Sequence, residues 1–305
     1  MRWKQTALSA IIKMMAEDWM KLKTTKERDI MVERAQIARM IVISGYVLMV
    51  LAFTVIIVLP YFGSTLRHLT NLTDPGKPLP LQTYYFYDID KSPQFELTYI
   101  VQAITIVLAA VTYTSVDAFL GLVILHFSGQ LETFKGRIAN LISCQDFIYI
   151  LSNTIVNHMR LIRFANIIEN IFSLMMLSLV FNFGIVFCLH GFLLLTVITE
   201  ESDLSFARLC FPLVSITILL THTFLYYGAG EFITIQCDGV YRALCDLEWY
   251  KLEPKYARTF ILLMRRTSQP FRITAGKVFP LTMTTFCSLL KTSAGYISFL
   301  LANRR

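Results

Sequence analysis

Charge is scarce in this chain. Of its 305 residues only 16% are Asp, Glu, Lys or Arg, against about 25% in an ordinary soluble domain. So charge-poor a surface would aggregate in water, which argues against a soluble enzyme. Catalytic motifs are lacking too. There is no P-loop, no G-x-G-x-x-G, no G-x-S-x-G and no H-E-x-x-H, so nucleotide binding, hydrolase and zinc-protease readings have nothing to rest on. The six cysteines show no metal-ligand spacing and the five histidines are scattered. No cofactor or metal is implied. Internal repeats and low-complexity segments are absent as well.

What is present is apolar. Hydrophobic residues make up 55% of the chain and the mean hydropathy is +0.56, which excludes a disordered chain. A bilayer core about 30 Å thick needs about 20 helical residues. Five segments qualify: 40–62, 97–127 (interrupted by Asp117), 171–199 (with His190), 206–231 and 281–301. The last is more polar, carrying Lys291 and a run of Thr, Ser and Gly. Residues 1–39 read as an amphipathic segment with Leu8, Ile11, Ile12 and Met15 on one face, not as a cleaved signal peptide. The expected fold class is therefore an all-α, polytopic transmembrane helical bundle.

The net charge of +7 is read as topology rather than nucleic-acid binding. Lys and Arg number 9 in residues 1–39, 4 in 128–170 and 8 in 232–280, but only 3 in 63–96 and 1 in 200–208. The positive-inside rule places the first group of segments in the cytoplasm. The N-terminus is then cytoplasmic, the loops 63–96 and 200–205 extracellular, and the tail 302–305 extracellular. The N-x-[ST] sequon at Asn71 falls in an outer loop, consistent with glycosylation. This orientation is opposite to that of G-protein-coupled receptors.

The segment 128–170 carries apolar residues at helical spacing and reads as spans continuing into the cytoplasm. In 232–280, Tyr256, Phe260 and Met264 form a stripe after Pro254. The apolar core 260–264 is too short to span and is expected to bury against protein.

One stretch is specific. Residues 270–281 read Pro-Phe-Arg-Ile-Thr-Ala-Gly-Lys-Val-Phe-Pro-Leu, and 285–293 follow as Thr-Phe-Cys-Ser-Leu-Leu-Lys-Thr-Ser. This resembles the signature of insect odorant receptors, in the form typical of Hymenoptera. Ala16-Glu17-Asp18-Trp19, Pro78-Leu79-Pro80, Ser128-Gly129-Gln130-Leu131 and Glu248-Trp249-Tyr250 resemble the family as well. The resemblance implies seven spans. The five here align with family helices 3 to 7, so the chain is expected to lack the first two.

The resemblance also implies a function: an odorant-gated cation channel subunit in the plasma membrane of an olfactory neuron dendrite, acting in a heterotetramer with a co-receptor. Ser288, Thr292, Gly295, Phe299 and Asn303 recur every three or four residues on one helical face. That spacing suits a pore lining or small-residue packing equally, and the resemblance selects the pore. Odorant contacts are expected in the outer halves of the spans, from Phe53, Ile57, Ala103, Val107, Phe187, His190, Phe211 and Ser215. Subunit contacts are expected from Phe260, Met264 and Gln269. The partners implied are the co-receptor, small volatile odorants and the lipid bilayer, with no nucleic acid. Alternatives are a non-functional fragment, a gustatory receptor (whose T-Y-hhh-hhQ ending, h apolar, is missing) and a transporter (whose repeat-related broken helices are missing).

Overall fold

The computed structural model describes residues 2–21, 23–58, 79–81, 85–88, 91–139, 141, 147–200 and 206–302, with side chains except those of 2–4, 197, 199–200, 206–211 and 301. Among them seven α-helices follow in order: α1 (Arg2–Met20), α2 (Thr25–Phe53), α3 (Gln94–Ala139), α4 (Phe147–Glu200), α5 (Phe206–Cys245), α6 (Pro254–Thr267) and α7 (Met283–Ala302). A π-helical turn, Thr54–Val58, prolongs α2, and a two-stranded hairpin, β1 (Thr274–Ala275) and β2 (Phe279–Pro280), precedes α7.

Among the described residues four helices are long and apolar enough to cross a bilayer, in the ranges Thr25–Val58, Gln94–Ala139, Phe147–Thr196 and Pro212–Lys251. Five spans are expected from the sequence. The fifth, α7, has the length at 20 residues and carries Lys291 among its Thr, Ser and Gly residues. Only 6% of the apolar stretch in Thr25–Val58 is buried within the chain, and 22% in the most buried of the four. Leu48, Leu97, Leu174 and Ile218 are each more than half exposed. In water such faces would drive aggregation, whereas lipid covers them at no cost. The chain is a multi-pass membrane protein.

The chain divides into two units. Unit 1 comprises residues 1–37, 122–188 and 219–305; unit 2 comprises 38–121 and 189–218. In unit 1, α2 starts on a reciprocal cap: the Glu27 amide donates to Thr24 Oγ1 (3.3 Å) and the Thr24 amide to Glu27 Oε2 (3.1 Å), which satisfies two donors of the helix start. The core gathers Ile11, Phe127, Ile138, Leu141, Ile168, Met176, Ile233, Leu244, Phe260 and Ile273, all nearly without exposure. Of the α1 face expected to be apolar, only Ile11 is fully buried. Ile12 stands 52% exposed, because α1 docks chiefly through charge. Asp18, buried, meets Arg160 at 2.8 Å and His126 at 3.3 Å, and Glu17 meets Arg160 at 3.0 Å. Burial pushes the Asp18 carboxyl up, but the His126 hydrogen bond and the Arg160 and Lys21 charges outweigh it and hold the group below its ordinary value.

The hairpin lies in the stretch that carries the family resemblance. Its register pairs Thr274 with Pro280 and Ala275 with Phe279. Gly276 and Lys277 both have positive φ (64° and 62°), and the Val278 amide donates to the Ala275 carbonyl (3.1 Å), the pattern of a type I′ turn. The turn is clasped to α4. The Gly276 amide donates to the Ser173 carbonyl (2.8 Å), the Lys277 amide to Ser173 Oγ (3.0 Å), and the Thr274 amide and hydroxyl to Glu169. A Cβ on Gly276 would sit 2.6 Å from Leu177. α7 then starts where the Met283 amide donates to Glu231 of α5 (3.2 Å).

In unit 2, Gly45 of α2 faces Thr114 of α3, and the Tyr46 and Ser115 hydroxyls meet at 3.0 Å. These contacts bring the two spans together.

Candidate functional site: an apolar cluster and an unpartnered helix face

Two places gather the residues expected to act. The first is in unit 2. Ile57, on the π-helical turn, packs with Leu79 and Tyr99, and Ala103, Val107, Tyr85, Phe95 and Ile106 close around them. The π turn frees the Ile57 carbonyl, and the Tyr99 hydroxyl donates to it. Gln102 fastens the loop: its amide donates to the Leu81 carbonyl and its carbonyl accepts from the Leu81 amide, both at 2.9 Å. The Tyr85 hydroxyl lies 2.9 Å from the same amide, and Tyr87 meets Thr98 at 2.9 Å. The result is an apolar cluster rimmed by hydroxyls and one carboxamide. It suits a small, mostly apolar molecule held by shape and dispersion.

Of the eight expected odorant contacts, the structure brings Ile57, Ala103 and Val107 together here. Phe53 is 38% exposed. His190 and Ser215 are half-buried within unit 2. Phe187 belongs to unit 1 and stacks on Phe183 at 5.5 Å. The Phe211 side chain and the glycosylation candidate Asn71 lie outside what is described. Tyr99, Gln102, Tyr85 and Leu79 are not among the residues expected from the sequence. Phe95, Tyr99, Ala103 and Val107 repeat every four residues, so the α3 part of the cluster was there to be read as one face.

The second place is α7. Its inner side packs on unit 1: Phe286 lies between Phe224 and Tyr227 at 6.0 and 5.5 Å, and buried Ser293 offers its carbonyl to Cys188 Sγ at 3.8 Å. Ser288, Thr292, Gly295 and Phe299 are all exposed, as is Lys291; Asn303 lies outside the described residues. The Ser288 hydroxyl donates to the Thr284 carbonyl (3.0 Å) and the Thr292 hydroxyl to the Ser288 carbonyl (2.9 Å). Each donor is spent on the helix itself, so the oxygens face outward as acceptors.

Of the expected subunit contacts, Gln269 is exposed and Met264 half-buried. Phe260 is 0% exposed, because the single chain already closes over it. On the same helix Ile261 and Leu262 are the exposed apolar residues, at 48% and 67%. A stripe at i, i+4 marks the face that turns inward, and here inward means into the chain's own core.

The chain matches the 7tm odorant receptor family model over residues 1–294. It belongs to that family. Odorant receptor 10 of Aedes albopictus is 25% identical over 270 residues, covering 86% of this chain and 68% of the relative. Odorant receptor 13a of Drosophila melanogaster is 22% identical, covering 74% and 57%. The fold matches the olfactory receptor OR5 of Machilis hrabei in complex with eugenol, with a TM-score of 0.74 at 16% identity, over 96% of this chain and 74% of that one. The same receptor's other structure aligns with a TM-score of 0.68. The chain thus spans between about half and three quarters of these relatives' lengths.

Proposed function

We propose that this chain is a subunit of an odorant-gated cation channel, working with a co-receptor in the plasma membrane of olfactory neurons. The observation that carries the reading is the outward face of α7. Hydroxyl oxygens of Ser288 and Thr292 have spent their donors, Gly295 leaves space, and Phe299 supplies a bulky apolar ring. In a symmetric assembly, such faces line a conduit whose oxygens favour cations and whose apolar ring gates by dewetting. Asn303 continues the same register. Met264 and Gln269 contribute to the subunit contact.

The volatile ligand sits at the Ile57, Ala103 and Val107 cluster, with Phe53, His190, Phe211 and Ser215 of the same unit as further contacts. Binding stabilises the open state through its higher affinity for that state. The N-terminus is cytoplasmic and Asn71 is glycosylated outside. The test is patch recording of the chain with a co-receptor subunit against a broad panel of volatiles, eugenol included. Volatile-evoked cation current is expected, and Val107→Trp should shift the effective concentration of most agonists by tenfold or more. Absence of current from every volatile, with surface labelling showing the chain at the membrane, overturns the reading.

A further inference from the structure

Unit 1 contains a cavity of about 200 Å³ that the reading above leaves without a role. Its walls are largely apolar, with Phe127 and Phe134 of α3, Leu161 of α4 and Phe271 of the segment leading to the hairpin, and Asn166, Cys237, Thr267 and Gln269 complete the lining. Two polar groups stand out on it. His158 is only 8% exposed. Its ring stacks on Phe134 at 5.8 Å, and it makes no hydrogen bond among the described residues. An imidazole carries at least one N–H, so His158 has a donor to offer a molecule in the cavity. Arg266 sits at the mouth, exposed, with no ion pair among the described residues. No Asp or Glu lines the cavity.

One buried donor, one uncompensated guanidinium and aromatic walls define a ligand. A cation finds no counter-charge. A phosphate dianion has no apolar body to place against Phe127, Phe134 and Phe271. A carboxylate matches the guanidinium fork in a bidentate pair and has lone pairs left for the imidazole N–H. The volume sets the size, because an apolar cavity of about 150 Å³ holds a benzene ring. We propose that this cavity binds a small monocarboxylic acid with an apolar body, its carboxylate between Arg266 and His158 and its body against Phe127 and Phe134. The walls include Phe271 on the segment that runs into α7, so occupancy bears on the helix assigned to the pore.

The test uses the purified full chain in detergent and 4-fluorobenzoate as the probe, followed by ¹⁹F NMR. Saturable binding is expected. Arg266→Gln, which removes an exposed and unpaired side chain, weakens the acid about tenfold or more but leaves competition by neutral benzyl alcohol unchanged. Ala165→Leu, which fills the cavity from the α4 wall, abolishes both. Displacement by octanoate points to acids released from membrane lipid, and displacement by substituted benzoates alone to soluble aromatic acids; both sustain the proposal. No saturable binding by the unaltered chain overturns it, and so does equal acid affinity in Arg266→Gln. None of these readouts depends on volatile-evoked current, so failure here and failure of the channel reading are distinct results.

Discussion

At the scale of single residues, close approach decides more than composition. A Cβ on Gly230 would lie 2.3 Å from the Leu281 carbonyl oxygen and 3.1 Å from its carbon. These are backbone atoms at the entry to α7 and cannot swing aside. Gly230→Ala should therefore destabilise the chain by about 1–3 kcal/mol, lowering the thermal midpoint in detergent. Gly184→Ala is the control. Nothing lies within 4 Å of its added methyl, so helix propensity alone operates and the change stabilises by about 0.5–1 kcal/mol. A drop in midpoint for Gly184→Ala, or none for Gly230→Ala, would contradict the packing described.

Asp18 yields a prediction of a different kind. Its folded-state value is depressed below 3.8, so the carboxylate contributes stability that is fully present above about pH 4. That contribution drains away as pH falls through the lowered value. Asp18→Asn should flatten the acid limb of the stability curve and loosen α1 at neutral pH, costing about 1.5–3 kcal/mol. Hydrogen exchange of the α1 amides against pH measures both effects. Unchanged α1 protection in Asp18→Asn would mean that Ile11 alone holds the helix.

At the scale of elements, α7 makes a claim that labelling can check. After Cys287→Ser removes the thiol that is exposed among the described residues, cysteines placed at Ser288, Thr292 and Phe299 should react with a water-soluble methanethiosulfonate reagent and reduce current. A cysteine at buried Ser293 should not. Reaction at 293 and silence at 288 and 292 would turn the helix around.

Much of this element was legible in advance, because a polar stripe at intervals of three and four is a local pattern. The four long spans were legible for the same reason: length and hydropathy need no knowledge of neighbours. The hairpin clasp was not. Glu169 and Thr274 are 105 positions apart, and no local signal in either segment announces the pair. The resemblance singled out Gly276 and Lys277, but only their positive φ and the absence of space beside Leu177 say why such residues stand there. Phe260 shows the converse limit. Periodicity says that a face is buried, and it is silent on whether the same chain or a partner buries it.

At the scale of the whole molecule, the topology turns on α7. Among the described residues four helices satisfy both length and hydropathy, and four crossings would leave both ends on one side. Five put the ends on opposite sides, and the distribution of Lys and Arg then places residues 1–39 in the cytoplasm. This helix of 20 residues carries a charge, Lys291, that is poorly suited to lipid. Its exposed Ser, Thr, Gly and Lys residues become tolerable if they line water or meet another subunit. In the proposed channel, the crossing of α7 and the assembly of subunits are thus one physical requirement. An epitope fused after Arg305 should bind antibody on intact cells, while one fused before Met1 should need permeabilisation. Co-expression with a co-receptor should raise the fraction of chains showing the outer epitope, since α7 gains a polar conduit only in company. If both epitopes need permeabilisation, α7 does not cross, and the conduit assigned to Ser288, Thr292 and Phe299 has no route through the membrane.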